Sequence, residues 1–355
     1  MSKLSEPQDG RPEITFASDC SGLELTPKLI EKLGYRVKSL WVSETSERAL
    51  SFIRSNAEPE VIYRDITERD ASKLPKNVDL YVSGPPCTAF SSLNNKKRAD
   101  DPRAEVFEHV LETISECQPK VFLLENTRGL YTFNKGLFWQ LVSSQLDAMK
   151  EYYWEHCLLC PSRHANTPQS RPRVYLVGLR RDLGIRNVPW PPEIKLTRNC
   201  LSVIDTSVTE GRKVAPCYWR QLEAWGIPAD TLAIVEPCGA NRSFSSYKLV
   251  DKDGNKRTFT DAQRSKVARK DVCACLVASD PSPLIPKLGR HLTTGELLAL
   301  QGYDGIDIQV PSSLTALQVA SLIGNSFCGA VISKILEPIL PLLAEHKSKN
   351  ESLVA

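Results

Sequence analysis

The sequence predicts an α/β fold: a parallel sheet with helices on both faces, interrupted by a smaller second unit. Three observations carry this. Short apolar runs alternate with helix-spaced runs from residue 13 to about residue 185. Polar residues that are unusual in a core (Asp19, Glu44, Asp65, Cys87 and Glu125) each follow one of the apolar runs, and open α/β sheets bind ligands beyond the carboxyl ends of their strands. The alternation then breaks at Pro189, Pro191 and Pro192 and returns near residue 289.

Taken in order, residues 13–17 are the first expected strand, and the polar turn Ser18, Asp19, Cys20, Ser21, Gly22 follows it. Residues 25–33 have helical spacing and stop at Gly34, a residue suited to a helix C-terminus. Residues 35–42 form the next strand, ending near Glu44, and residues 46–56 a helix. Residues 61–63 lead to Asp65, and the strand 78–83 ends in Gly84-Pro85-Pro86. Residues 104–117 are helical, and 121–124 are a buried strand ending at Glu125. A helix at 138–150 and strands at 152–159 and 173–179 complete the first unit. Near the C-terminus, 293–300 and 314–323 return as helices, and 331–343 is a strongly apolar helix with Pro338 and Pro341 late in it. The expected division is a tail at 1–12, a first domain at 13–185, an inserted domain at 186–288, a return to the first domain at 289–346 and a tail at 347–355.

With 355 residues, 41% hydrophobic and 25% charged, the chain can build a large core and is not compositionally disordered. No apolar run reaches the ~18–20 residues of a membrane span. The first residues, MSKLSEPQDG, lack a signal peptide's apolar segment. Eleven scattered cysteines in such a chain read as reduced thiols, so an intracellular location is expected, nuclear if the cell is eukaryotic and otherwise cytoplasmic. Cys157-Leu-Leu-Cys160 with His156 and His164 sketches a zinc site, but a second well-spaced pair is missing: Cys273-Ala-Cys275 is not ligand spacing. No metal is therefore expected. The net charge is +3, and it is unevenly spread. Residues 186–289 hold 16 Lys and Arg against 11 Asp and Glu, and 242–270 hold 9 against 3. That block reads either as a phosphate-facing surface or as a solvated loop.

Gly84-Pro85-Pro86-Cys87 presents one thiol after a strand on a backbone stiffened by two prolines. Glu125-Asn126 places a carboxylate at the end of the next strand, where a raised pKa would make it a proton donor. In Gln169-Ser170-Arg171-Pro172-Arg173, two guanidiniums at i and i+2 share one side of an extended chain.

These three motifs in this order resemble the cytosine-C5 methyltransferase family. Arg290-His291-Leu292-Thr293 with Glu296 and Gln301-Gly302 is similar to its late block, and Gly324-Asn325-Ser326 to its closing motif. The resemblance covers residues 13–181 and 287–343 and implies a Rossmann-like methyltransferase domain dependent on S-adenosylmethionine (SAM). Residues 186–288 fall where the family carries its target-recognition domain. The resemblance implies that Cys87 attacks C6 of a flipped-out cytosine, that Glu125 holds and protonates N3, and that Arg173, supported by Arg171, binds O2 or positions Glu125.

The implied SAM contacts are Phe16, Ser18, Asp19, Cys20, Ser21 and Gly22 in the first turn, Glu44 on the ribose, Asp65 and Ile66 at the adenine, and Pro86, Asn325 and Ser326 closing the pocket. Only Gly22 remains of the three glycines the family places in that turn; Asp19 could tolerate a left-handed backbone there. Ser91, Lys96, Lys97, Arg98, Gln169, Arg242 and Arg257 are the expected nucleic-acid contacts. The expected partner of a monomeric chain is double-stranded DNA, away from any membrane. A tRNA substrate and a catalytically inactive nucleic-acid-binding relative remain alternatives at this point.

Overall fold

The computed structural model describes residues 10–86, 102–209, 211–235, 260, 264, 267–278 and 283–354, with the side chains of 102–104 and 349–354 outside the description. Cys87, Ser91, Lys96, Lys97, Arg98, Arg242 and Arg257 lie outside the described residues.

The main sheet has seven strands: β1 (Glu13–Asp19), β2 (Arg36–Ser43), β3 (Val61–Tyr63), β4 (Leu80–Ser83), β5 (Val121–Thr127), β6 (Tyr152–Leu159) and β7 (Arg173–Arg180). Their order is β3-β2-β1-β4-β5-β7-β6. Strands β1 to β5 pair in parallel, whereas β7 runs antiparallel to both β5 and β6. The expected parallel sheet is present in β1 to β5, and β7 and β6 extend it antiparallel. The chain leaves β6 by the short Pro161–His164 turn and returns as β7 between β5 and β6.

Alternating residues of each strand enter opposite cores, as the pleat requires. Val121 and Leu123 join Ile14, Phe16 and Leu80 on one face; Phe122 and Leu124 join Ala17, Trp41 and Tyr81 on the other. Helix α1 (Thr26–Lys32) and the C-terminal helices cover the first face, and α3 (Pro102–Cys117) and α4 (Leu137–Ala148) cover the second. Helix α2 (Glu47–Asn56), capped by Ser46, packs with Val42 in a smaller apolar cluster. Gly178 pairs with Phe122 across the sheet, and the Phe122 ring occupies the space a side chain would need.

A second sheet, ordered β11-β10-β8-β9, is built from β8 (Ile234–Val235), β9 (Ala268–Arg269), β10 (Leu284–Ile285) and β11 (Arg290–His291). Val214, Leu222, Trp225 and Val267 form its own apolar cluster. Ile234, Cys273 and Ile285 belong instead to the first core, so the small unit is packed onto the large one.

The apolar stretch expected as one helix at 331–343 is two, Gly329–Leu336 and Leu340–Val354, separated where Pro338 cannot donate a helical hydrogen bond. Ala316–Leu336 is long and apolar enough to cross a membrane by length and composition, contrary to the sequence-based expectation. The chain bends there at Ser326 into two helices, Ala316–Asn325 and Gly329–Leu336, whose apolar residues Val319, Ile323, Val331, Ile332, Ile335 and Leu336 are buried in the first core.

Candidate active site

The three motifs converge at one end of the main sheet. Strand β5 continues through Glu125 to Thr127 because residues 125–127 pair with residues 173–175 of β7. Glu125 is therefore inside the strand, not at its end. Asn126, buried, donates from Nδ2 to Pro85 O at 3.3 Å, tying the Glu-Asn pair to the turn that leads to Cys87. Arg173 Nε lies 3.2 Å from Glu125 Oε1. This is an ion pair whose N–H points too far aside to count as a hydrogen bond, so Oε1 is buried with no hydrogen-bond partner among the described residues. The pair offers a base an open acceptor held beside a fixed positive charge.

Arg171 is tied into the framework. It is buried, and its guanidinium donates to the carbonyls of Leu276 at 2.8 Å, Gly324 at 3.1 Å and Ser326 at 2.8 Å. Two backbone segments, at Leu276 and at 324–326, meet on it. Its fork suits such bonds, and its partners show an architectural clamp. Gln169 is likewise corrected from a nucleic-acid contact to a core residue. It is fully enclosed, donates to Leu300 O at 2.6 Å and Gln301 Oε1 at 3.0 Å, and accepts from Leu276 N at 3.2 Å. A side chain with no exposed surface cannot read DNA. The late block is architectural too: buried Arg290 grips Glu296 with two hydrogen bonds, at 2.8 and 2.9 Å, while Glu296 closes the capping box of Thr294–Leu300.

Around the first turn the expected contacts divide. Phe16 is enclosed in the core with Ile14 and Leu80 and has no surface for a ligand. Asp19, also fully enclosed, forms a bidentate pair with Arg69 and accepts from Tyr81 Oη at 2.6 Å and Trp41 Nε1 at 3.3 Å. Its carboxylate is committed to the fold. The left-handed backbone falls not on Asp19 but on Cys20 (φ 52°), Gly22 (φ 57°) and Glu24 (φ 43°). Burial, together with the Asp19 and Glu44 carboxylates, pushes the Cys20 thiol far up.

Ser18 Oγ donates to Glu24 Oε2, and Ser18 and Ser21 hydroxyls lie 2.6 Å apart. Burial pushes the Glu24 carboxyl up to about 7, and its Oε1 has no hydrogen-bond partner among the described residues. The sequence offered no signal for Glu24 beyond its nearness to the turn. Glu44 stands at the end of β2, its carboxyl raised by burial, accepting from Gly22 N at 2.9 Å and Ser46 N at 2.8 Å. Asp65 caps the turn Ile66–Glu68 through Thr67 at 2.8–2.9 Å, and Ile66 is buried beneath it. Asn325 is exposed; Ser326 is buried and donates to Ile323 O at 2.8 Å. Gly84 passes so close to Phe327 that a Cβ would sit 2.7 Å from its ring. This brings the residue after Ser326 against the approach to Pro86.

Cys157 and Cys160 lie at the β6 end, with His156 against Tyr131 and His164 Nδ1 accepting from Cys160 N. No group of three or more His, Cys, Asp or Glu among the described residues could hold a metal ion.

A family model described as C-5 cytosine-specific DNA methylase matches residues 15–340. The Type II methyltransferase M1.ScrFI of Lactococcus lactis subsp. cremoris is 36% identical over 320 residues, covering 88% of this chain and 74% of that protein. The orphan methyltransferase M.SPRI of Bacillus phage SPR is 32% identical over 178 residues, 49% of this chain and 39% of that protein. In fold, a putative prophage DNA modification methyltransferase from E. coli superimposes with a TM-score of 0.60 at 16% identity, over 93% of this chain and 99% of that one. S. pombe Dnmt2 methyltransferase does so with a TM-score of 0.60 at 15% identity, over 93% and 98%.

Proposed function

We propose, on the premise that this chain belongs to the C-5 cytosine-specific DNA methylase family, that it moves a methyl group from SAM to C5 of a cytosine flipped out of duplex DNA. The observation that carries the reading is the meeting of three sequence-distant motifs at one point. Asn126 holds Pro85, and Glu125 faces Arg173.

In this reading the Cys87 thiolate adds to C6 and leaves C5 electron-rich. Glu125 takes up a proton from solvent at its open Oε1 and passes it to N3, which offsets the negative charge that the addition drives into the ring, and takes it back as the adduct breaks down. Arg173 keeps that carboxyl aimed and electrostatically fixed. Loss of the C5 proton to solvent and departure of the Cys87 thiolate then restore the aromatic ring. SAM supplies the electrophilic methyl on its sulfonium.

The first turn suits that donor. Three alternate left-handed positions curl the chain, Gly22 leaves open space where a side chain would stand, and Glu24 Oε1 offers an unmet acceptor to an ammonium group. Glu44 uses both oxygens on backbone N–H groups, yet each retains a lone pair for a ribose hydroxyl. Residues 186–288, with the basic block at 242–270, are the proposed recognition domain.

The test is transfer of labelled methyl from SAM to duplex DNA and to tRNA in parallel, with Cys87→Ala as control. Label on DNA that vanishes in the variant is expected. Label on tRNA alone would replace the substrate, and no label on either would overturn the activity.

A further inference from the structure

Beside the Glu125–Arg173 pair lies a sulfur that the proposed reaction does not use. Residues 273–276 run alongside 168–171: Cys273 N donates to Pro168 O at 2.9 Å, Ser170 N to Cys273 O at 2.9 Å, and Leu276 N to Gln169 Oε1 at 3.2 Å. Next along the chain, Gly324 approaches Val277 so closely that a Cβ would lie 2.5 Å from its backbone. The segment is therefore immobilised on both sides. Cys273 points into the core, and Cys275, two residues on, turns to the arginines. Its Sγ is 3.3 Å from Arg173 Nη2 and 3.4 Å from Arg171 Nη1.

The local charge is unbalanced without it. Among the described residues, Glu125 is the carboxylate seen to pair with these guanidiniums, and it faces Arg173. Arg171 contacts neutral carbonyls, and its Nε is buried with no hydrogen-bond partner among the described residues. A buried cation without a counter-charge is costly. Neither neighbouring titratable group supplies one: burial holds Tyr175, which feels both arginines, well above the ordinary phenol range, and leaves Cys328, which feels Arg171, pushed up to about 11. Burial alone would raise the Cys275 thiol as well, but the Arg171 and Arg173 charges, and the hydrogen bonds they donate, outweigh it and bring the thiol below its ordinary value. One contact points the other way. Sγ lies 3.3 Å from Leu276 O, the acceptor a protonated thiol would use.

We propose that Cys275 is a positioning residue of this site, its sulfur serving as the anionic bridge between Arg171 and Arg173 that keeps Arg173 on Glu125. The inference rests on the role given above to Glu125 and Arg173. It also makes the small unit's own chain part of the catalytic geometry, because Cys275 arrives from the segment that follows β9.

Two measurements on the full chain test it. The first is the ultraviolet thiolate absorbance of the wild-type protein minus that of Cys275→Ser, followed against pH. A difference band that appears below the pH of an ordinary thiol, about 8.5, is expected; its absence until above that pH would overturn the proposal. The second is methyl transfer by Cys275→Ala, Cys275→Ser and Cys275→Asp, with kcat, KM for DNA and melting temperature recorded. Ala and Ser are expected to lose about 10- to 100-fold in kcat, the scale of a misaimed catalytic group, with KM and melting little changed, and Asp to recover most of it. Wild-type kcat in the Ala variant, or equal rescue by neutral Ser, would refute the anionic role. If the wild-type protein transfers no methyl at all, the proposed function fails while the absorbance titration still decides the state of Cys275.

Discussion

Arg171→Lys keeps the positive charge and removes the planar fork that three backbone carbonyls share. In the native protein those carbonyls, on Leu276, Gly324 and Ser326, accept at 2.8–3.1 Å from one guanidinium. A lysine ammonium on its straight stem can reach one of them and leaves two buried acceptors unmet. Each lost bond to a charged donor is worth about 1.5–3 kcal/mol, so the substitution should cost about 3–6 kcal/mol of folding stability. At roughly 2 °C per kcal/mol for a large domain, the melting temperature should fall by roughly 10 °C. Thermal unfolding by circular dichroism reads this directly, and methyl transfer measured well below the melting temperature should retain a substantial part of the wild-type rate. A variant that melts like the wild type yet loses a hundredfold or more in turnover would show that Arg171 acts on the substrate and that the clamp is incidental.

Asp19→Asn strands the buried Arg69 guanidinium without its carboxylate and is expected to cost about 3–5 kcal/mol in denaturant titration; a loss under 1 kcal/mol would mean that the Ser43 and Thr113 hydroxyls and the Trp41 and Tyr63 rings already suffice for Arg69. Gly178→Ala drives a methyl into the enclosed Phe122 ring, and a loss of about 1–3 kcal/mol is expected in the same assay. Glu24 gives a pH signature. Its folded pKa, about 7, lies above the 4.5 of the ordinary side chain, so the folded state holds the proton longer than the unfolded one. Stability should therefore decline by about 3 kcal/mol as pH rises from 4.5 to 7 and level off above that. In Glu24→Gln this decline should be missing, so that the difference between wild type and variant reproduces it, and an unchanged slope in the variant would remove Glu24 as its source. Glu125→Gln keeps the shape and removes the carboxyl proton donor, and turnover is expected to fall by about 100-fold or more with DNA affinity retained; near-wild-type turnover would dismiss Glu125 from the chemistry.

Much of the architecture was legible from local pattern. Residues 61–63 and 152–159 coincide with β3 and β6 to the residue, because turn-forming and charged residues bracket both. Strand direction was not legible. A strand buried on both faces reads as an apolar run whichever way it points, so the insertion of an antiparallel β7 beside β5 left no periodic trace. The same pairing extends β5 through Glu125, which an apolar run ending at Leu124 conceals. The meeting of Glu125 with Arg173 was legible, because each sits in a short polar motif beside an apolar strand. Site residues were misread where the partner was remote. Asp19 resembled the other acids at strand ends, yet Arg69, 50 residues away, consumes it. Cys275 was set aside because its spacing from Cys273 suits no metal, while the partners that matter lie 102 and 104 residues off in sequence.

The short stretch 169–173 explains why one motif carries so many polar residues. Its alternate side chains are spent differently: Gln169 binds the Leu300–Gln301 turn and Leu276, Arg171 binds Leu276, Gly324 and Ser326, and Arg173 meets Glu125. Two of the three have no contact with the expected chemistry, yet they fix the segments that surround the third. Rigid support of this kind is what a catalytic carboxyl needs, because an error of about 1 Å in aim can cost a hundredfold in rate. The support is also shared with the small unit, since Leu276 and Cys275 lie on the chain leaving its sheet. A shift of that unit on binding a duplex would therefore reach Arg173 through the same contacts that hold it in the free protein. The contacts that link the two are hydrogen bonds of 2.8–3.4 Å.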